Sequence, residues 1–191
     1  KEVENRIKQY YKRSSTIIYP FVEMSFWHST VPKQNYYLIA GRLQPYKGHD
    51  KVIKACTEAG LELHVVGTGR YEEYLRSIAG PTIKFLGRVS DEQLRDEYSG
   101  ASAFLYPQLE DFGMMPLEAA ACGTPTVGLA KGGSLETIMP GVSGELLPEI
   151  TVESLKNCLA SWQPGKYNAE SMRSHASNFS KQQFMQKIRD L

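Results

Sequence analysis

Excess charge of either sign is missing from this sequence: Lys and Arg total 22 against 21 Asp and Glu in 191 residues. That balance removes the electrostatic grounds for nucleic-acid binding or a polybasic membrane surface, so any anion site must be local. No run of about 18 apolar residues occurs, which excludes a hydrophobic membrane-spanning helix. Cysteine is scarce, and Cys56, Cys122 and Cys158 lie far apart among apolar neighbours with no C-x-x-C pair. Such thiols pack as small hydrophobes, so no disulfide framework is expected and a reducing, cytoplasmic setting is the default. Histidine is sparse too. His28, His49, His64 and His175 have no metal-ligand spacing, so no metal site is expected and all four read as structural or solvated. The sequence does not open on methionine, and its first residues do not look like a signal peptide. The opening Lys1-Glu2-Val3-Glu4-Asn5-Arg6 reads as a charged helix already under way, and a fragment of a longer chain is expected.

With no internal repeat or low-complexity tract, one core is expected in a chain of this size. Short apolar runs rich in β-branched and aromatic residues occupy positions 16–19, 36–40, 61–66, 82–86, 101–106, 126–130 and 144–147. Strands of that composition are covered on both faces. Between them lie helical stripes, one of Val52, Ile53, Cys56 and Ala59 and another of Val152, Leu155, Leu159 and Trp162. Ser90 with Gln93, and Ser180 with Gln183, have capping-box spacing and predict helix starts. Two polar helices are expected over 169–178 and 181–191, after the linker-like Gln163-Pro164-Gly165-Lys166. Repeated β-then-α order predicts an α/β fold with a doubly wound, Rossmann-like parallel sheet. Ligands of such sheets sit beyond the carboxyl ends of the strands.

Three strand-to-helix loops therefore matter. In the first, Gly41 allows close approach to a ligand, and Arg42 and Lys47 can converge on one diphosphate, Arg as a planar fork and Lys as a point charge. Both could instead be solvated side chains at a helix start, although cations there oppose the helix dipole. The second loop, Val66-Gly67-Thr68-Gly69-Arg70, is a bare G-x-G. A tight turn explains it, or the Gly67 and Gly69 amides face the same phosphates; the third glycine of a dinucleotide fingerprint would fall at Glu72, which counts against a dehydrogenase. In the third loop, Pro116 suits the first helical position and Gly123 a left-handed stop, predicting a helix over 116–122 with free amides near 113–117. Glu110 and Glu118 bracket that turn. A carboxylate accepts two hydroxyl hydrogen bonds at once and can hold a vicinal diol, although a solvated loop acid and a dipole-favoured acid in a first helical turn are the plainer accounts of each.

The stretch EDFGMMPLEAAACGTPTVG, with seven residues between Glu110 and Glu118, resembles the E-x7-E signature of retaining family 4 glycosyltransferases with the GT-B fold. The segments GRLQPYKG, VVGTG, FLGRVSDEQL and AKGGSLETIMPGVSGELL recur in that family's order, and the match runs from about Thr16 to Trp162. The resemblance implies that the chain is the C-terminal, donor-binding half of such an enzyme. By it, residues 1–13 are the end of a helix from the N-terminal domain, 14–165 form the nucleotide-sugar-binding domain, and 166–191 are helices outside the sheet or against the other domain. Arg42 and Lys47 then bind the donor diphosphate, Glu110 the transferred sugar and Glu118 the ribose. The backbone of Phe112, Gly113, Met114 and Met115 holds sugar and phosphate oxygens, and the segment Gly87, Arg88 and Val89 meets the base. Within the family the wording resembles the mannosyltransferases of surface-polysaccharide and lipopolysaccharide assembly. That implies GDP-mannose, with a UDP-sugar as the other candidate, no required cofactor, and an acceptor sugar or lipid-linked glycan as partner. The acceptor site would lie in the N-terminal domain, which would also carry any peripheral association with the inner face of a membrane. A nucleotide-sugar epimerase or phosphorylase on the same scaffold, and a non-catalytic nucleotide-sugar-binding module, remain as alternatives.

Overall fold

The computed structural model describes residues 1–191. Six strands form, β1 Tyr37–Ala40, β2 Leu63–Val66, β3 Ile83–Gly87, β4 Ala103–Tyr106, β5 Thr126–Leu129 and β6 Gly144–Leu147. All pair in parallel, in the order β3-β2-β1-β4-β5-β6. The helices are α1 Glu2–Arg6, α2 His49–Ala59, α3 Glu72–Ser77, α4 Asp91–Gly100, α5 Met114–Ala121, α6 Ser134–Thr137, α7 Val152–Ala160, α8 Ala169–Ser177 and α9 Lys181–Arg189. A π-helical turn, Ile7–Tyr11, continues α1. None is long and apolar enough to cross a membrane.

Period-two alternation sends each strand's side chains into two layers. Tyr37 and Ile39 of β1, with Ala103 and Leu105 of β4, pack against Val52, Ile53 and Cys56 of α2 and Leu155 and Leu159 of α7. Leu38 and Ala40, with Phe104 and Tyr106, face the other way, against Tyr98 of α4 and Ala119 of α5. Fully burying one Leu or Ile contributes roughly 1.5–3 kcal/mol, so these two layers fix both the strand faces and the loops above them. A third cluster joins Leu117, Ala120 and Ala121 of α5 to Met172 and Ala176 of α8, outside the sheet. Arg173 fastens that layer by donating to the carbonyl oxygens of Met24, Trp27 and Ala121 at 2.8, 3.0 and 3.1 Å.

The chain winds outward from β1 to β3, then returns beside β1 as β4 and winds the other way. The loops after β1 and β4 therefore leave in opposite senses, and a crevice opens between them at the carboxyl edge.

Four expectations need correction. Residues 16–19 form no strand: both edges of the sheet lie elsewhere, and Tyr19 instead stacks on Phe112 with ring centroids 5.0 Å apart. Helix α5 begins at Met114, two residues before the expected Pro116, because Gly113 (φ +85°) turns the chain early. Pro116 is tolerated third in the helix, where its missing N–H would have had no partner. Glu118 consequently sits in the second turn, and its placement there owes nothing to the helix dipole. Finally, Ser180 precedes α9 but accepts no capping hydrogen bond, whereas Ser90 makes the full capping box with Gln93. Ser154 makes another with Thr151, which the S/T-x-x-E/Q pattern overlooks.

Candidate functional site

Beyond β1 the backbone continues the parallel ladder: Gly41 N–H donates to Val66 O at 3.0 Å and Leu43 N–H to Thr68 O at 3.0 Å. Pro45 then opens a 3-10 turn, Pro45–Lys47, and Gly48 (φ +72°) redirects the chain into α2. Pro supplies the φ that the turn needs and glycine the positive one. The turn aims Lys47 inward, its side chain 14% exposed, while Arg42 stays on the exposed surface.

Beyond β4 the chain runs through Pro107 and the buried Gln108 to Glu110. Lys47 Nζ donates to Glu110 Oε1, joining loops 63 residues apart. The same two loops touch again where a Cβ on Gly48 would stand 3.3 Å from Pro107 Cβ and one on Gly41 would stand 3.8 Å from Met115 Sδ. The first turn of α5 opens beside them with no side-chain cap, so its unpaired amides are open to an anion. One turn further on, Glu118 is half-buried, and the Tyr98 hydroxyl lies 3.5 Å from its Oε2. Burial pushes the Glu118 carboxyl up to about 7; the Tyr98 hydrogen bond works against that rise and nearby Asp91 adds to it.

Lys47, Glu110, Gly41 and Met115 are thus brought together, with Gly113, Met114 and Glu118 along the same helix. Val89 packs partly buried on the layer that holds Met115, while Arg88 is exposed at the neighbouring loop. Phe112 turns its ring away, onto Tyr19 and Phe179. For Gly67 the expected amide role is corrected: its N–H is committed to Gly87 O at 2.7 Å. A Cβ on Gly67 would fall 1.9 Å from Gly41 O, and one on Gly69 2.1 Å from Leu43 O, so both glycines let the first two loops lie against each other. A hollow of about 820 Å³ flanks the N-terminal helix and two of about 440 and 410 Å³ flank α8; none of them includes the Lys47–Glu110 pair.

Two features of the site were not singled out from sequence. Gly133 N–H donates to Glu110 O at 2.8 Å, and a Cβ there would fall 2.1 Å from Phe112 O, so the Gly132-Gly133 turn buttresses the Glu110 loop. Paired glycines after a strand are the available signal for that close approach. Tyr98 carried no signal, because an aromatic in a helix reads as core.

This geometry has relatives. The family model described as Glycosyl transferases group 1 matches residues 21–182. The chain belongs to that family. Among curated proteins it is similar to a GDP-mannose-dependent monoacylated alpha-(1-6)-phosphatidylinositol monomannoside mannosyltransferase of Corynebacterium glutamicum, with 34% identity over 137 residues, 60% of this chain and 36% of the relative. A D-inositol 3-phosphate glycosyltransferase of Salinispora arenicola is 30% identical over 175 residues, 78% of this chain and 39% of the relative. Among solved structures, the sucrose-phosphate synthase of Thermosynechococcus elongatus superposes with a TM-score of 0.85 at 22% identity, covering 99% of this chain and 55% of that one. Anabaena HepE in complex with UDP gives 0.80 at 22% identity, covering 93% and 57%. The group 1 glycosyltransferase chain described here thus spans well under half of those curated relatives and somewhat over half of those solved chains. Its doubly wound sheet is the fold they share.

Proposed function

We propose that this chain is the donor-binding half of a retaining hexosyltransferase, which moves a sugar from a nucleotide diphosphate to an acceptor hydroxyl. The meeting of Lys47 and Glu110 at the crevice between β1 and β4, beside the open end of α5, carries this reading. In the ligand-free chain each neutralises the other; with a donor present, Lys47 and Arg42 bind the diphosphate and Glu110 the hexose hydroxyls. Glu118 takes the ribose, and the Met114 and Met115 amides meet phosphate and sugar oxygens. Charge builds on the departing diphosphate, so these cations and the helix end stabilise the transition state more than the ground state. The donor we favour is GDP-mannose, supported by relatives named as GDP-mannose-dependent mannosyltransferases. The acceptor, a sugar or lipid-linked glycan of cell-surface polysaccharide or glycolipid synthesis, would be held by an N-terminal domain. That domain would also bring the enzyme to the inner face of a membrane.

In the complete enzyme, Arg42→Ala or Lys47→Ala should lower transfer turnover by about 100-fold or more, the scale seen when one transition-state donor is removed. Turnover near wild type in a GDP-mannose assay, with a UDP-sugar arm alongside, would remove the mechanism. Glu118→Ala should weaken nucleotide binding by roughly 1.5–3 kcal/mol, the worth of a hydrogen bond to a charged group, as read by calorimetry with GDP and UDP.

A further inference from the structure

Tyr98 lies in the last turn of α4, wholly buried. Its ring is wedged edge-on between Trp27, at 5.7 Å and 72°, and Phe104, at 5.2 Å and 88°, while its carbonyl accepts from Thr124 Oγ1. The phenol therefore has little freedom to turn. A buried hydroxyl without a partner is costly, and the partner within reach is Glu118 Oε2, at 3.5 Å. A carboxylate offers about four lone-pair sites, so one hydrogen bond from Tyr98 fixes its orientation and leaves the rest for a ligand.

We propose that Tyr98 is a positioning residue for the donor nucleotide: its hydroxyl donates to Glu118 and holds that carboxylate toward the ribose hydroxyls. The proposal rests on the ribose role given to Glu118 above. The titratable groups facing Glu118 are Asp91 and Tyr98 of α4, Tyr106 of β4 and Cys122 at the end of α5. Among these, Tyr98 is the group whose hydrogen bond lowers the Glu118 pKa, whereas Asp91 raises it. Losing the phenol oxygen thus has two consequences: the carboxylate is less fixed, and higher pH is needed to ionise it.

The test titrates wild type, Tyr98→Phe and Glu118→Gln with GDP, UDP and their 2′,3′-dideoxy analogues, below and above neutral pH. Tyr98→Phe removes one atom and keeps the ring packing. It should raise Kd for the ribose nucleotides about 5- to 20-fold, the scale of one net hydrogen bond, and leave the dideoxy analogues unaffected. The pH midpoint of ribose-nucleotide affinity should move up. Equal losses for both nucleotide kinds would reduce Tyr98 to a packing residue, and unchanged Kd and midpoint would overturn the proposal while leaving Glu118 in place. If Glu118→Gln itself leaves ribose-nucleotide affinity unchanged, the ribose role fails first. Should Tyr98→Phe fold poorly, NMR of the wild type decides: the Tyr98 Cζ resonance should follow the ionisation of Glu118 and move when GDP binds but not when its dideoxy analogue does, and a resonance indifferent to both would overturn the proposal.

Discussion

Burial penalises the Glu118 anion in the folded chain and pushes its pKa from the ordinary 4.5 up to about 7. The folded state binds the extra proton across that interval, so stability falls as pH rises from about 4.5 to 7. A gap of that width converts to roughly 3–3.5 kcal/mol as an upper bound. Glu118→Gln should accordingly raise the Tm of the ligand-free chain at pH 8 and have little effect near pH 4, while nucleotide binding weakens. A melting curve at each pH checks it; equal Tm at pH 8 would show that the carboxylate is not strained by burial. Ribose hydroxyls favour the anion, so nucleotide affinity should increase with pH and level off above about 7, with protons released on binding below that point. Of the residues involved, Glu110, Glu118 and Lys47 were legible from spacing and chemistry. Tyr98 was not, since nothing in a sequence separates a core phenol from one whose hydroxyl reaches a carboxylate.

At the scale of elements, glycines set how closely the loops approach. Gly67→Ala would place a methyl on Gly41 O at a backbone angle of φ +118°. Strain of that kind costs at least about 2 kcal/mol, so Tm should drop by roughly 4–8 °C in a domain of this size. A thermal melt no lower than wild type would show that the first two loops can separate freely. A second element-scale device lies away from the crevice. His64 of β2 has Nδ1 2.7 Å from Glu97 Oε2 of α4 and Nε2 3.1 Å from Glu62 Oε1. A neutral imidazole has one nitrogen without hydrogen, so both contacts are favourable only in the cation. Burial opposes the charge, but Glu97 and then Glu62 outweigh it, and the His64 pKa is raised. Its contribution is full below the unfolded value of about 6.5 and is lost as pH rises through the folded one. Glu97→Gln should therefore cost of order 1 kcal/mol in mild acid and little in alkali, by denaturant titration; a pH-independent loss would rule out the cation. Helix existence was legible from stripes and capping boxes. The start of α5 was not, because Gly113 and Pro116 each signal a boundary and only tertiary packing decides between them.

On the scale of the whole chain, the doubly wound order followed from alternating strands and helices, each strand apolar enough to be covered twice. Residues 16–19 look equally strand-like and fail because both sheet edges, β3 and β6, lie away from them, which is a property of the assembled sheet. The crevice between β1 and β4 was legible as a rule about such sheets, while the contact of Lys47 with Glu110 needed coordinates. By the proposed reading, an anion at that crevice meets Lys47 and the open end of α5, Arg42 turns in to it from the exposed surface, and the neighbouring carboxylates meet hydroxyls. The most direct check is a crystal structure of this chain soaked with GDP or UDP. Its diphosphate should lie within hydrogen-bond distance of Arg42 and Lys47, with Glu110 released from Lys47 and the ribose hydroxyls on Glu118. A nucleotide bound with its phosphates away from Arg42 and Lys47, and with the Lys47–Glu110 pair intact, would contradict the account.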